Sequence, residues 1–158
     1  RFVYEVSEFS PDDTSPAVLG QVGNLNVVSF SGSSSNISWI QFSTDARIDT
    51  GVDLRFELMY RMSSSESSKG VSLNADVWVF NDTDDPNKVA TVAGQKDVIS
   101  TPSNTDLKQL LLTSIRIPSA YLAGSGQVLQ LKLWRNPLDS ADTHSGYFQI
   151  VSFRAYQV

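Results

Sequence analysis

The chain has no cysteine, a single histidine, and no stretch approaching the roughly 20 consecutive apolar residues that span a bilayer. The first absence removes disulfides, thiolate metal sites and cysteine nucleophiles together. It is compatible with assembly in a reducing cytoplasm and argues against a small disulfide-stapled extracellular module. Charge is scarce as well. Only 18% of residues are charged, the formal net charge is -5 and the sequence pI is about 4.7. The twelve Lys and Arg are scattered singly, which argues against nucleic acid, because neutralising phosphates takes clustered cations. The lack of a long apolar run argues against a membrane partner. The chain starts at Arg1 rather than Met, so it is expected to be processed, trimmed or a piece of a longer protein.

What is present is an ordinary globular composition, 41% hydrophobic over 158 residues. This suits one domain spanning residues 1–158, with residues 1–24 as an edge strand or an extended arm. The dominant pattern is alternation at period two in short runs between turn-rich stretches. Val52 to Arg61 places Val52, Leu54, Phe56, Leu58 and Tyr60 on one face and its charged residues on the other. Val71 to Phe80 repeats the pattern, with Val71, Leu73, Ala75, Val77 and Val79 inward. Leu25 to Phe30, Ile37 to Phe42, Val128 to Arg135 and Tyr147 to Tyr156 read as further strands, and Phe2 to Val6 as an edge strand. Leu107 to Ile117 has a helix-like run of leucines, but its second half alternates β-branched residues with Ser114 and Arg116 and so predicts a strand. Pro118 to Ala123, closed by Gly124, suits one short helical turn. The expected fold is all-β, an antiparallel β-sandwich of jelly-roll type with about eight strands.

Residues able to do chemistry are few. His144 sits in a loop with Asp139, Ser140, Asp142 and Ser145. A Ser-His-Asp triad also needs a strained nucleophile turn and an oxyanion hole, which near neighbours on one loop do not supply. His144 therefore reads as a loop residue, solvated or hydrogen-bonded to a strand end. Asn81-Asp82-Thr83-Asp84-Asp85 offers oxygens to Ca²⁺ but lacks the glycine and glutamate of an EF-hand loop, and reads as a turn built on Asx hydrogen bonds before Pro86. Glu57 and Glu66 carry no sign of the facing pair that a glycosidase needs. No catalytic residue, metal ligand or cofactor site is assigned, and the chain is not expected to be an enzyme.

The aromatics are the remaining candidates. Trp39, Trp78 and Trp134 each fall in a strand, and Trp78, Phe80 and Trp134 lie on the face opposite the main apolar set. Such side chains stack on sugars, fill the second face of a sandwich, or pack against another subunit. Trp78, Phe80, Trp134 and Tyr147 are the candidates for an oligomer interface or a ligand surface. For a sugar site the choice narrows to Trp78, Tyr147 and the loop around Asp82. Burial between chains would mark an interface, and exposed coplanar rings in the single chain would mark a sugar platform.

The C-terminal third carries a further pattern. The strand Val128 to Arg135 leads through the Asp-containing loop Asp139 to Thr143 and Gly146 into a last strand ending at Tyr156. Ile37 to Phe42, the Asp-rich turn Asp45 to Asp53 and the strand to Arg61 precede it, as do Leu110 to Ile117 and the turn at Pro118 to Ala123. Over residues 37–158 this order resembles small β-sandwich virion proteins of tailed bacteriophages. The resemblance implies a structural protein of the phage particle, most simply a capsid decoration (cement) protein that binds the major capsid protein and stabilises the shell. It also implies a homotrimer, located in the virion and assembled in the host cytoplasm. The alternative is a carbohydrate- or receptor-binding domain, such as one on a phage fibre.

Overall fold

A computed structural model of the chain describes residues 9–158 together with the strand backbone of Phe2–Val6. Among these residues eleven strands form two antiparallel sheets. The strands are β1 (Phe2–Val6), β2 (Ser10–Pro11), β3 (Val18–Val22), β4 (Leu25–Phe30), β5 (Ile37–Ser43), β6 (Leu54–Met62), β7 (Gly70–Phe80), β8 (Val92–Ser100), β9 (Lys108–Ile117), β10 (Val128–Arg135) and β11 (Phe148–Gln157). One sheet has the order β3-β4-β11-β6-β9, with β1 also on β11; the other is β2-β5-β10-β7-β8. The inner halves β4-β11-β6-β9 and β5-β10-β7-β8 are the two four-stranded sheets of a jelly roll. The expected sandwich is thus present, but with eleven strands among the described residues rather than about eight, because β1, β2 and β3 extend the two four-stranded sheets. The helical turn is a 3-10 turn at Ser119–Tyr121. No helix among the described residues is long and apolar enough to cross a membrane.

The strands form where apolar residues recur at every second position. In β10, Leu129, Leu131 and Leu133 are fully buried while Val128, Gln130, Lys132 and Trp134 face outward. Leu54, Phe56, Leu58 and Tyr60 of β6 and Val71, Leu73, Ala75, Val77 and Val79 of β7 meet them in one core. Each such side chain contributes roughly 1.5–3 kcal/mol of burial. Three strands escaped the sequence pattern, all at sheet edges: β2 has only two residues, β3 is exposed along nearly its whole length, and β8 buries only Asp97 and Ile99.

The leucine run resolves into β9 over its full length, not only its second half. Its pairing with β6 jumps from Arg55↔Arg116 to Glu57↔Leu111, so residues 112–115 bulge opposite Phe56 alone. Asp97 of β8 holds this bulge. Its buried carboxylate accepts from Thr113 Oγ1 at 2.7 Å, from Ser114 N at 3.1 Å and from Ile115 N at 2.9 Å. A residue of one sheet thereby closes the irregular edge of the other.

The opposite problem arises at the end of β10, where Arg135 points inward and is fully buried. Its Nε donates to Asp142 Oδ2 at 2.8 Å and its Nη2 to Asp142 Oδ1 at 2.7 Å. The remaining donors reach the carbonyls of Gly146 and His144. These contacts fasten the 136–147 loop onto the end of the sandwich. Glycine is required where the loop docks: a Cβ on Gly32 would meet the Ser145 carbonyl oxygen at 2.4 Å, and one on Gly146 the Ser64 hydroxyl at 2.4 Å. His144 completes the latch. Gly146 N–H donates to its Nδ1 at 3.0 Å, so the neutral ring carries its proton on Nε2, which is buried without a partner among the described residues.

Two measurements check these assignments. Asp97→Ala leaves several bulge N–H groups unanswered, each worth roughly 1–3 kcal/mol. Urea unfolding of that variant is expected to lose about 2–5 kcal/mol with an unchanged m-value; a loss within error of zero would refute the role. For His144, burial is the main cause of a lowered pKa, with Arg135 adding to it and Glu66 opposing. The unfolded chain then binds a proton from about pH 6.5 downward where the folded chain does not. Stability is therefore greatest above that value and falls as pH drops through the folded pKa. His144→Gln is expected to flatten the decline between about pH 7 and pH 5, and an identical slope in both proteins would show that His144 is not its source.

Candidate functional site

The outer face of the five-stranded sheet is built on β10, which lies between β5 and β7. The register sets Gln130 between Gln41 and Trp78, Lys132 between Trp39 and Asp76, and Trp134 between Ile37 and Asn74. Neighbouring strands are about 4.8 Å apart, so Trp39 and Trp78 start two strands from each other. Both indoles lean over β10, bringing their ring centroids to 5.5 Å with the planes tilted by 43°. The pair is half-buried, as are Phe80 and Trp134.

Each ring of the pair is anchored by its own N–H. Trp39 Nε1 donates to Asp12 Oδ1 at 2.9 Å. The other oxygen of Asp12 accepts from Thr14 Oγ1 at 2.7 Å and from the backbone N–H of Ser15 at 3.0 Å. These bonds, that of Trp39 foremost, hold the Asp12 carboxyl far below the usual carboxylate range, so it stays charged. Trp78 Nε1 donates to the Lys88 carbonyl at 3.1 Å. The loop carrying Lys88 is folded by Asp84, which accepts from Asn81 N at 2.8 Å and Lys88 Nζ at 2.7 Å. Those contacts, Asn81 N first, lower the Asp84 pKa.

The result is an open groove of about 410 Å³. Trp39, Gln130, Trp78 and Phe80 form its floor, Ser10 of β2 borders one side, and Pro86, Asn87 and Lys88 border the other. Its surface is mostly apolar, and its polar members are the amides of Gln130 and Asn87, the Ser10 hydroxyl and Lys88. No carboxylate lines it among the described residues.

Of the residues expected from sequence, Trp78 and Phe80 line this groove, and Trp134 stands further along the same face. Tyr147 does not join them. It precedes β11, in the other sheet, where its backbone N–H bonds Ser63 Oγ at 2.8 Å. The Asp82 loop borders the groove through residues 86–88 rather than through Asp82. Its carboxylates make turns, as Asp85 does to Asn87 N at 2.8 Å, and no group of three or more potential metal ligands occurs among the described residues. His144 belongs to the latch, and the Ser145 hydroxyl donates to Glu66 rather than to the imidazole. Trp39 was missed as a site residue. The alternation of Ile37-Ser38-Trp39-Ile40-Gln41-Phe42 is apolar on both faces, and only the pairing of Trp39 with outward-facing Lys132 fixes its side. The rings are also not coplanar, contrary to the sugar-platform expectation.

No family model matches the chain, and no curated protein matches it. Solved structures do. TmCBM61, determined in complex with beta-1,4-galactotriose, is 12% identical over 96% of this chain and 88% of that one, with a TM-score of 0.41. TmCBM27, a carbohydrate-binding module studied for mannan recognition, is 15% identical over 99% and 88%, with a TM-score of 0.47. A CBM4 structure is 11% identical over 91% and 88%, with a TM-score of 0.36. These similarities concern the fold.

The expectation of a capsid decoration protein is corrected here. The similar structures are carbohydrate-binding modules, not virion proteins. The pattern behind the resemblance has a structural explanation: alternating leucines ending in Arg135, followed by an aspartate loop and a glycine, are the parts of the buried latch. A sandwich that closes its end in this way carries the pattern whatever it binds.

Proposed function

We propose that the chain is a non-catalytic carbohydrate-binding domain that holds a glycan along the outer face of the five-stranded sheet. The observation that carries this reading is the pair of adjacent, half-buried tryptophans whose N–H groups are both satisfied by the chain itself. Their orientation is thus set before a ligand arrives, which lowers the ordering cost of binding. Their free surfaces are π-faces. A pyranose ring presents C–H groups of slight positive charge on its face and hydroxyls around its edge, so it complements an electron-rich ring face flanked by hydrogen-bonding groups. Gln130 and Asn87 are placed for the hydroxyls. The 43° tilt suits successive sugar units turned relative to one another rather than a flat surface. Hydrolysis of the bound glycan would need two carboxylates across the groove, and its lining supports binding alone.

Aromatic residues at the centre of a binding face commonly cost about 2 kcal/mol or more when cut to alanine, which is roughly a 30-fold loss of affinity. Trp78→Ala and Trp39→Ala are each expected to weaken binding by that factor in affinity electrophoresis against a panel of soluble polysaccharides, while circular dichroism stays native. A wild-type chain that is retarded by no polysaccharide, or a Trp78→Ala variant retarded as strongly as wild type, would remove the proposal.

A further inference from the structure

The outer face treats its donors unequally. The N–H groups of Trp39 and Trp78 are bonded within the chain. That of Trp134 is not: it has no partner among the described residues and is not buried. Lys132 stands beside it. Its Nζ lies 5.3 Å from the Trp134 ring centroid and 6.0 Å from that of Trp39. Among the described residues it makes no ion pair and no hydrogen bond.

Several other cations of this chain are answered, whereas among the described residues Lys132, like Arg55, Lys69 and Lys108, is not, and of these Lys132 is the one set against aromatic rings. Lys88 pairs with Asp84, Lys96 with Asp139, Arg116 with Asp53 and Arg135 with Asp142. Lys132 has a carboxylate within reach of its own strand pairing, since Asp76 is its direct cross-strand neighbour on β7. Yet Asp76 accepts from Gly94 N at 2.8 Å, and the Lys132 side chain leans the other way, over the tryptophans of β5 and β10. The half-buried Lys132, with its ammonium near the rings of Trp39 and Trp134, and the unused N–H of the Trp134 ring are two donors on this face without an acceptor among the described residues.

We infer that the glycan bound on this face is acidic and that its carboxylate is received by Lys132 Nζ and Trp134 Nε1–H. This rests on the carbohydrate-binding reading above and narrows its substrate class to uronate-containing chains. A carboxylate offers two oxygens, one for each donor, and charge-assisted bonds of this kind are about twice as strong as neutral ones. The flanking ring faces suit the sugar ring that carries the carboxylate. The chain's net charge of -5 does not oppose a contact of this kind, because charges beyond about 8–10 Å are screened at ordinary ionic strength.

The test compares polygalacturonate, alginate and hyaluronan with their carboxyl-reduced forms, using affinity electrophoresis and calorimetry at low and high salt. Four proteins are used: wild type, Trp78→Ala, Lys132→Met, which keeps the apolar stem, and Trp134→Phe, which keeps a ring but removes the N–H. Wild type is expected to bind at least one acidic polymer at least about tenfold more tightly than its reduced form. Lys132→Met is expected to lose that preference while retaining binding to the reduced polymer, and Trp134→Phe to lose part of it. Equal affinity for acidic and reduced polymers, abolished by Trp78→Ala, would overturn this inference and leave the carbohydrate reading standing. Binding of no polymer would overturn both. Binding of dextran sulfate that Trp78→Ala leaves unchanged would mark simple charge attraction and overturn the inference as well.

Discussion

A guanidinium shut away from water must be answered by the protein itself, and the answer given to Arg135 governs the register of the central strand. Arg135 shares the inward phase of Leu129, Leu131 and Leu133 on β10, and Asp142 waits at that end of the sandwich and no other. Removing one partner of such a buried pair costs about 3–5 kcal/mol. Sliding β10 by one residue would break the pair and also turn three leucines to solvent, because the side-chain period of a strand is two. The hydrophobic pattern and the ion pair therefore impose the same register. Everything on the outer face follows from it. With Arg135 inward, Trp134, Lys132 and Gln130 are outward, and the pairing to β5 and β7 then sets Trp39 beside Lys132 and Trp78 beside Gln130.

This dependence explains what the sequence revealed and what it hid. Strands with one wholly apolar face, such as β6, β7 and β10, announce themselves, because the energy that forms them is the burial of alternate side chains. Their outward residues are legible for the same reason, which is why Trp78, Phe80 and Trp134 could be placed. Edge strands carry no such signature. β3 is held by its ladder to β4 with few buried side chains of its own, and β8 is half polar. Trp39 lies in a strand apolar on both faces, where alternation cannot assign a side. The contacts that finish the structure are longer in range still. Asp97 reaches residues 113–115 and Trp39 reaches Asp12 over 27 positions, and no local pattern records either pairing. Tyr147 shows the converse, since an aromatic beside a strand tells nothing of the sheet that the strand will join.

The capsid-decoration reading failed for a related reason. It was carried by strand alternation, an Asp-rich loop and a glycine, and each of these has a task in holding the fold: the leucines fill the core, Asp142 neutralises Arg135, and Gly146 makes room for Ser63 and Ser64. A pattern of that origin reports how a sandwich is closed. It says nothing of what the outer face meets, because the leucines, Asp142 and Gly146 all serve the core and the latch rather than the groove.

The electrostatics of that face are decided locally rather than by the chain's acidic total. Three carboxylates stand around it, and each is already engaged: Asp12 by the Trp39 indole and its own turn, Asp84 by Asn81 and Lys88, Asp76 by Gly94. The hydrogen bonds of Asp12 and Asp84 stabilise their ionised forms, and the oxygens of all three are directed at backbone and side-chain donors of the chain. Such groups build the site without contacting what enters it. Two of them hold the loops that orient the tryptophans, which is why an acidic protein can present a binding face whose uncommitted polar groups include amides, the indole N–H of Trp134 and the ammonium of Lys132. Rings fixed from behind by ionised side chains, with uncommitted donors in front, make a surface suited to a ligand rich in oxygen acceptors and flat apolar patches.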